Sequence, residues 1–303
     1  MIIETIDILG GVDRGGGMEG VERISLSMGQ VASVVGPTGS GKTALITDIE
    51  LFANGDTPTK RKILINNAPP PQEWIDRPSC NPVAIITQHT NFLSDLPVCE
   101  FLKIHARTRK SGEATEIKDQ TLAFANRLTG EPIDPKNPMT QLSGGQTRAL
   151  LIADAVVIGK SPILLLDEIE NAGINKTRTL ELLKQQKKIF IFVTHDPRIA
   201  LLSDFRIVMA GGAMKHVIRT SEKELGLALK IAELDDLAFE VKRKLWNGES
   251  LIDSEPANQI GAAILSLQSI AGSFAPAPQE SFPITGQALI DRAVSLGRAF
   301  QRR

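Results

Sequence analysis

Tyrosine is absent from the 303 residues, and all aromatics together make up only 4% of the chain. Net charge is scarce as well. Thirty-four basic residues against 35 acidic ones leave −1, so no global field draws the molecule to nucleic acid or to anionic lipid. Cysteine occurs twice, at Cys80 and Cys99, in unrelated contexts. That usage fits a reducing compartment better than a disulfide framework. The opening residues Met1 to Asp7 carry acids early and no basic n-region, which argues against a secretory signal. Long apolar runs are missing too. The nearest candidate, Ile260 to Ala275, is short and holds Ser266, Gln268, Ser269 and Ser273, well below the roughly 18 apolar residues that a span requires. No internal repeat is visible. Hydrophobic content of 42% and charged content of 23% are ordinary for a globular chain with a real core, and the length suits two domains or one large domain with an appendage.

Against these absences one stretch stands out. Gly36-Pro37-Thr38-Gly39-Ser40-Gly41-Lys42-Thr43 matches the phosphate-binding pattern G-x-x-x-x-G-K-[ST]. An apolar run, Val31 to Val35, precedes it, and a helix-like stretch, Ala44 to Phe52, follows. The alternative, a glycine-rich turn with a chance lysine, does not predict that strand–loop–helix context. The glycines let the backbone bend so that its N–H groups face a phosphate, and the following helix adds the positive end of its dipole. Lys42 is expected to reach the β- and γ-phosphates, and Thr43 to place a hydroxyl on Mg²⁺. These residues form a nucleoside triphosphate site.

Around this loop the pattern alternates. Ile2-Ile3, Ile6–Ile8 and Ile24–Leu26 read as short strands, with a hairpin turn at the triple glycine 15–17. Strands are expected at 62–65, 83–87, 163–166, 189–193 and 205–209, with helices at 149–157 and 177–188 between the later ones. The continuous apolar runs Ile163–Leu166 and Ile189–Val193 are what central parallel strands show. Strands alternating with helices predict an α/β fold with a parallel sheet. The proline-rich stretch 68–82 reads as a surface loop, and 95–140 as a small helical insertion carrying helices at 98–105 and 121–128. Beyond residue 215 the sheet pattern stops. A long amphipathic helix is expected at 222–245, a linker near 275–283, and a basic helix at 284–303.

Four further motifs follow the phosphate loop in order: Gln88 after a strand, Leu142-Ser143-Gly144-Gly145-Gln146 (LSGGQ), ILLLDE from Ile163 to Glu168, and Thr194-His195-Asp196 after another strand. With the phosphate loop, these residues resemble the ATP-binding cassette (ABC) ATPase family over about residues 1–215. LSGGQ between a phosphate loop and an apolar-Asp-Glu strand is close to diagnostic, whereas either motif alone would say only NTPase. The resemblance implies a P-loop NTPase core with a parallel sheet, an N-terminal antiparallel β subdomain and a helical signature subdomain, in residues 1–215, followed by a mainly helical extension, 216–303. It implies ATP and Mg²⁺ as ligands. Asp167 would hold the Mg²⁺ through water, and Glu168 would orient or deprotonate the attacking water; an Asp-Glu pair after a strand is otherwise a common helix N-cap. Gln88 would touch Mg²⁺ and water, and His195 the γ-phosphate. His89, His105 and His216 carry no supporting pattern.

Ser143, Gly144, Gly145 and Gln146 open a helix and so form an anion site. In the family this site closes over ATP bound to the phosphate loop of a second cassette. One chain with one phosphate loop and one LSGGQ therefore implies a head-to-tail dimer that forms on ATP and opens after hydrolysis.

Two departures from the family pattern stand out. Its usual base-stacking aromatic is missing: no Tyr exists, and no Phe or Trp precedes Phe52. Arg14 is the candidate replacement, because a guanidinium plane can cover a purine face; Val12 and Met18 are apolar alternatives. After Asp167-Glu168 the family reads Pro-Thr-Ser-Ala-Leu-Asp, whereas this chain has Ile169-Glu170-Asn171-Ala172-Gly173-Ile174-Asn175, so inter-site communication through that loop is in doubt. The leading expectation is an ATPase subunit that powers a transporter, cytoplasmic and reaching the inner face of the membrane only through a separate permease docked on the insertion. The alternative is a soluble ABC ATPase that remodels or reactivates a cytosolic enzyme or metallocofactor complex. A chromosome-maintenance ATPase is disfavoured by the lack of a long coiled coil and by the neutral charge, so no nucleic-acid partner is expected.

Overall fold

The computed structural model describes residues 2–109, 112–129, 131–168 and 176–249. The variant loop 169–175, the apolar stretch 260–275, the linker at 275–283 and the basic helix at 284–303 lie outside the described residues.

The sheet forms around two strands that are apolar along nearly all their length. In β6 (Ile163–Asp167) and β7 (Ile189–Val193) every aliphatic and aromatic side chain is buried. Alternation along each strand divides these residues between two cores. Leu164, Leu166, Phe190 and Phe192 pack into one core with the helical insertion, while Ile163, Leu165, Ile189 and Ile191 pack into the other with the N-terminal strands. A strand buried on both faces needs no polar alternation, and that is why these runs read as continuous.

The six-stranded sheet runs β5 (Val83–Ile86), β6, β7, β3 (Val31–Val35), β8 (Phe205–Ala210), β9 (Ala213–Arg219). All pairs are parallel except β8–β9. A second, three-stranded antiparallel sheet has the order β2 (Arg23–Ser27), β1 (Thr5–Leu9), β4 (Lys62–Ile65). The expected antiparallel subdomain and parallel core are therefore both present.

Helix α1 (Lys42–Glu50) follows β3. The insertion holds α3 (Val98–Thr108) and α4 (Ala114–Leu128), and α5 (Gly144–Val157) leads into β6. α6 (Lys176–Lys184) and α7 (Pro197–Leu202) flank β7. α8 (Glu222–Trp246) follows β9. One compact unit ends at Asp236, and beyond it α8 continues to Trp246.

Several expectations need correction. Ile2-Ile3 is no strand, although Ile3 is buried beneath the small sheet. The loop at 68–82 contains a short helix, α2 (Gln72–Asp76), and a single 3-10 turn. α4 begins seven residues before the expected 121, because the charged stretch ahead of it is the solvent side of the same helix. The sheet also does not stop at 215. Gly211 and Gly212, both at positive φ (62° and 88°), make a two-residue turn that returns the chain as β9 to Arg219. The domain boundary expected at 215/216 thus falls inside a hydrogen-bonded strand. β9 escaped the pattern because five of its seven residues face solvent; the Gly-Gly pair was the available signal.

Candidate functional site

Because β5, β6, β7 and β3 are parallel neighbours, the segments that leave them emerge along one edge of the sheet. This is where open α/β sheets bind ligands. From β3 comes the phosphate loop, from β7 His195, from β6 Asp167 and Glu168, and from β5 Gln88. Parallel topology converts four motifs that are far apart in sequence into one row.

Within the loop, Gly41 has φ 102°, and a Cβ there would sit 2.9 Å from the Gly212 α-carbon. Only glycine satisfies both the backbone and the space. Gly41 is also the N-cap of α1 and carries no capping side chain, which leaves the first-turn N–H groups available to an anion. Lys42 is 8% exposed, and its ammonium donates to the loop's own carbonyls, Gly36 O at 2.8 Å and Pro37 O at 3.1 Å. The Ser40 hydroxyl is buried without a hydrogen-bond partner. A lysine bonded only to carbonyls, a partnerless hydroxyl and an uncapped helix start together fit a phosphate chain. Thr43 is exposed at the start of α1. Pro37, Thr38 and Gly39 shape the turn, and the Ser40 N–H donates to the Pro37 carbonyl at 3.1 Å.

Glu168 closes β6 with φ 50°, a left-handed conformation that costs a non-glycine residue about 1–3 kcal/mol. Its N–H donates to the Val193 carbonyl (3.0 Å), which helps hold the strained turn. The turn brings Glu168 Oε1 within 3.3 Å of His195 Nε2. Two sequence-predicted residues from adjacent strands thus meet. Asp167, its backbone paired with Val193, precedes the turn. Asp196 is a helix cap: its carboxylate accepts the Arg198 N–H at 2.7 Å.

Among the described residues, the side chains of Gln88, Ser143 and Gln146 make their hydrogen bonds away from the phosphate loop. The exposed Gln88 amide meets His89 Nε2 at 3.1 Å. Ser143 and Gln146 form a capping box at α5; Ser143 Oγ also donates to Glu131 (3.2 Å), and the Gln146 amide donates to Pro132 O (3.0 Å). A Cβ at Gly144 would meet nothing within 4 Å, and Gly145 follows in the same first turn. Arg14 lies near the phosphate loop. Its N–H donates to Gly211 O (3.3 Å), and its side chain runs so close over Gly212 that a Cβ there would lie 2.8 Å from Arg14 Cγ. Its alternatives Val12 and Met18 pair with each other at the neck of this arm.

Two residues escaped sequence reading. Arg148, one turn into α5, donates to Thr90 O at 2.7 Å and to Gln88 O, tying the LSGGQ helix to the Gln88 loop. Burial holds its guanidinium below the ordinary arginine range. A charged residue beside the apolar face of α5 was the signal. Arg61 is wholly enclosed with Glu19 and Asp48. Burial works against its charge, but the hydrogen bond and charge of Glu19, then those of Asp48, outweigh it and hold the guanidinium above its ordinary value. Nothing in the surrounding Lys60-Arg61-Lys62 distinguishes Arg61 from a surface cation.

Comparison with known proteins agrees with this geometry. The family model described as ABC transporter matches residues 22–171. An uncharacterized ABC transporter ATP-binding protein of Methanocaldococcus jannaschii is 47% identical over 252 residues, covering 83% of this chain and 96% of that protein. The spermidine/putrescine import ATP-binding protein PotA of Photobacterium profundum is 31% identical over 234 residues, and the match spans 60% of its length. Among solved structures, a dimeric post-hydrolysis ATP-binding cassette bound to ADP and Pi matches with a TM-score of 0.54 at 20% identity, covering 71% of this chain and 99% of that one. CbiO1 of Clostridium perfringens, part of the ABC transporter complex CbiONQ, matches with a TM-score of 0.53 at 21% identity, covering 80% of this chain and 97% of that one. At such identities the structures speak for the fold alone.

Proposed function

The chain belongs to the ABC transporter ATP-binding family, and on that premise we propose that it is the ATPase subunit of a transporter, cytoplasmic and reaching the membrane only through a separate permease. It is an ABC-type ATPase; the proposal concerns how its residues act and what they drive. The observation that carries the catalytic part is the Glu168–His195 pair, 3.3 Å apart beside the phosphate loop.

The phosphate loop, Gly36 to Thr43, binds the ATP triphosphate with Lys42 on the β- and γ-phosphates. Thr43, Asp167 and Gln88 would hold Mg²⁺, which neutralises phosphate charge when bound. Among the described residues no cluster of three or more His, Cys, Asp or Glu forms a metal cage. That fits a cation held by one carboxylate, a hydroxyl and the nucleotide. Glu168 accepts a hydrogen bond from the attacking water, and His195 orients the carboxylate and reaches the γ-phosphate. Water oxygen bonds to the γ-phosphorus, the bond to the β–γ bridging oxygen breaks, and ADP and phosphate leave. Ser143, Gly144, Gly145 and Gln146 serve the nucleotide of a second copy, and Arg14 covers the base.

Transport is supported by the import function named for relatives such as PotA, although the chain spans only 60% of that protein. A surface feature supports it too. Leu93, just ahead of the insertion, is fully exposed and Ile104 within it half exposed, each on a segment that carries one ring of the edge-on pair Phe92–Phe101. An exposed apolar patch of this kind suits a protein partner, and Arg148 ties its neighbourhood to the LSGGQ helix. These observations favour a permease over the soluble remodelling alternative. Affinity capture with Glu168→Gln protein from separated membrane and soluble fractions tests this: a multi-span partner is expected, and a soluble enzyme as sole partner rejects it.

A further inference from the structure

Behind the phosphate loop lies a charge cluster that the hydrolytic scheme does not use. The Arg61 guanidinium, fully buried just ahead of β4, donates Nε to Glu19 Oε2 (3.1 Å), Nη2 to Glu19 Oε1 (2.5 Å) and Nη1 to Asp48 Oδ2 (2.9 Å). Nη2 also donates to the Gly212 carbonyl at 2.9 Å. The carboxylates are further satisfied from outside the cluster. Glu19 Oε2 accepts the Gly11 N–H (2.9 Å), Glu19 Oε1 accepts the Met214 N–H (2.7 Å), and Asp48 Oδ2 accepts from the Thr59 hydroxyl (2.8 Å).

Burying one cation between two anions is a poor route to stability, because apolar side chains of similar volume often do as well. What the cluster does supply is a fixed geometry. Arginine's planar fork imposes directions that a lysine or an apolar contact would not.

Four chain segments meet on this fork. Gly11 and Glu19 are the two roots of the arm Val12–Met18, whose tip carries Arg14. Asp48 lies on α1, the helix that the phosphate loop starts. Thr59 and Arg61 lead into β4, and Gly212 to Met214 form the turn and start of β9. Gly212 is the shared wall. Its N–H donates to Ser40 O of the phosphate loop (2.9 Å), its α-carbon fills the space of a Gly41 Cβ, Arg14 lies over it, and its carbonyl receives Arg61.

We propose that Arg61, with Glu19 and Asp48, is a positioning residue that fixes the spacing between the Arg14 arm and the phosphate loop, so that the base and the triphosphate of one nucleotide are bound in register. This rests on the reading that ATP occupies the phosphate loop with its base beside Arg14. The two ends of the ligand are then held by separate segments, and the cluster and Gly212, with the backbone bonds Arg14 N–H to Gly211 O and Val12 N–H to Thr59 O, set the gap between them. A ligand with no base does not depend on that gap.

The test is equilibrium binding of ATP and of inorganic tripolyphosphate to the full chain. The variants are Arg61→Lys and the charge-free triple Glu19→Gln, Asp48→Asn, Arg61→Met, which keeps the oxygen acceptors. The triple is expected to weaken ATP by about tenfold through lost preorganisation while leaving tripolyphosphate within about twofold. Arg61→Lys is expected to shift the same ratio by about threefold, since it keeps the charge but not the fork. ATP and tripolyphosphate weakening in parallel, or an unchanged ratio, overturns the proposal. If the triple does not fold, the ratio for Arg61→Lys decides alone. Wild-type protein whose bound ATP is not displaced by tripolyphosphate would instead sink the phosphate-loop reading, a distinct result.

Discussion

Two helix starts in this molecule carry glycine and offer N–H groups to an anion, and they are built in opposite ways. The phosphate loop is shut in by its own chain: Gly41 is pressed against Gly212, Lys42 is buried, and Ser40 is enclosed. The LSGGQ start is open: a Cβ at Gly144 would touch nothing within 4 Å, and its polar side chains bond only the local loop 131–146 among the described residues. Gly41 is thus explained by the fold of one chain. Gly144 is not: a Cβ there would meet open space in its own chain. In the proposed head-to-tail dimer over ATP, the second copy would occupy the space in front of Gly144.

Catching both helix starts on one nucleotide is the most direct way to break that contrast. Glu168→Gln removes the carboxylate proposed to meet the attacking water while keeping its shape. Hydrolysis is expected to fall by about 10²- to 10⁴-fold, the range for a general base, and ATP with Mg²⁺ should then hold the chain as a dimer in sedimentation at micromolar concentration. A protein that stays monomeric, alone and with its partner, rejects the shared site.

The glycines themselves come next. Gly41→Ala forces a side chain into φ 102° against Gly212 and should cost about 1–3 kcal/mol of stability, seen in chemical denaturation, together with ATP binding. Gly144→Val puts its Cβ into open space and should leave stability within about 0.5 kcal/mol. Its effect should appear only as loss of the ATP-dependent dimer. Equal destabilisation by both substitutions would erase the distinction.

The closed start was legible from sequence, and the open one only in part. A phosphate loop announces itself because every residue answers a local demand within eight positions. The meeting of Glu168 and His195 was legible too, since apolar strands at 163–166 and 189–193 deliver both to one edge whatever the details. By contrast, the conformation of Glu168, strained and held by Val193, has no local signal, because it arises from pairing between distant strands. Arg61 was invisible for the same reason. Flanked by Lys60 and Lys62 it reads as surface, and only partners 42 and 13 residues away bury it. β9 was missed because a half-exposed hairpin strand lacks the apolar run on which the other strands were read.

Arg148 ties the LSGGQ helix to the Gln88 loop, and its removal tests that link. Arg148→Met keeps the packing of a 9%-exposed side chain but leaves the Gln88 and Thr90 carbonyls without their donor. The expected cost is about 1–3 kcal/mol of stability, the range for a buried polar group left unsatisfied. Hydrogen exchange should rise across 87–92 while the phosphate-loop helix stays protected. Protection lost equally in α1 would mean that Arg148 supports the whole fold rather than the link.

The smallest effect belongs to the base end of the closed site. The arm bearing Arg14 is stiffened by Asp13, whose Oδ1 accepts the N–H groups of Gly15 and Gly17 at 2.9 Å each, so Arg14 is presented rather than trailing. A base stacked on a side chain gains about 1–3 kcal/mol in single-stranded nucleic-acid complexes, and an exposed guanidinium falls at the low end. Arg14→Ala should therefore weaken ATP by about fivefold, with tripolyphosphate binding unchanged because nothing in the phosphate loop has moved. An unchanged ATP constant rejects the stacking role and leaves the base held by Val12 and Met18. A parallel loss of tripolyphosphate would instead mean that Arg14 supports Gly212 and, through it, the loop. In that case the closed site is closed by its arm as well as by its glycines.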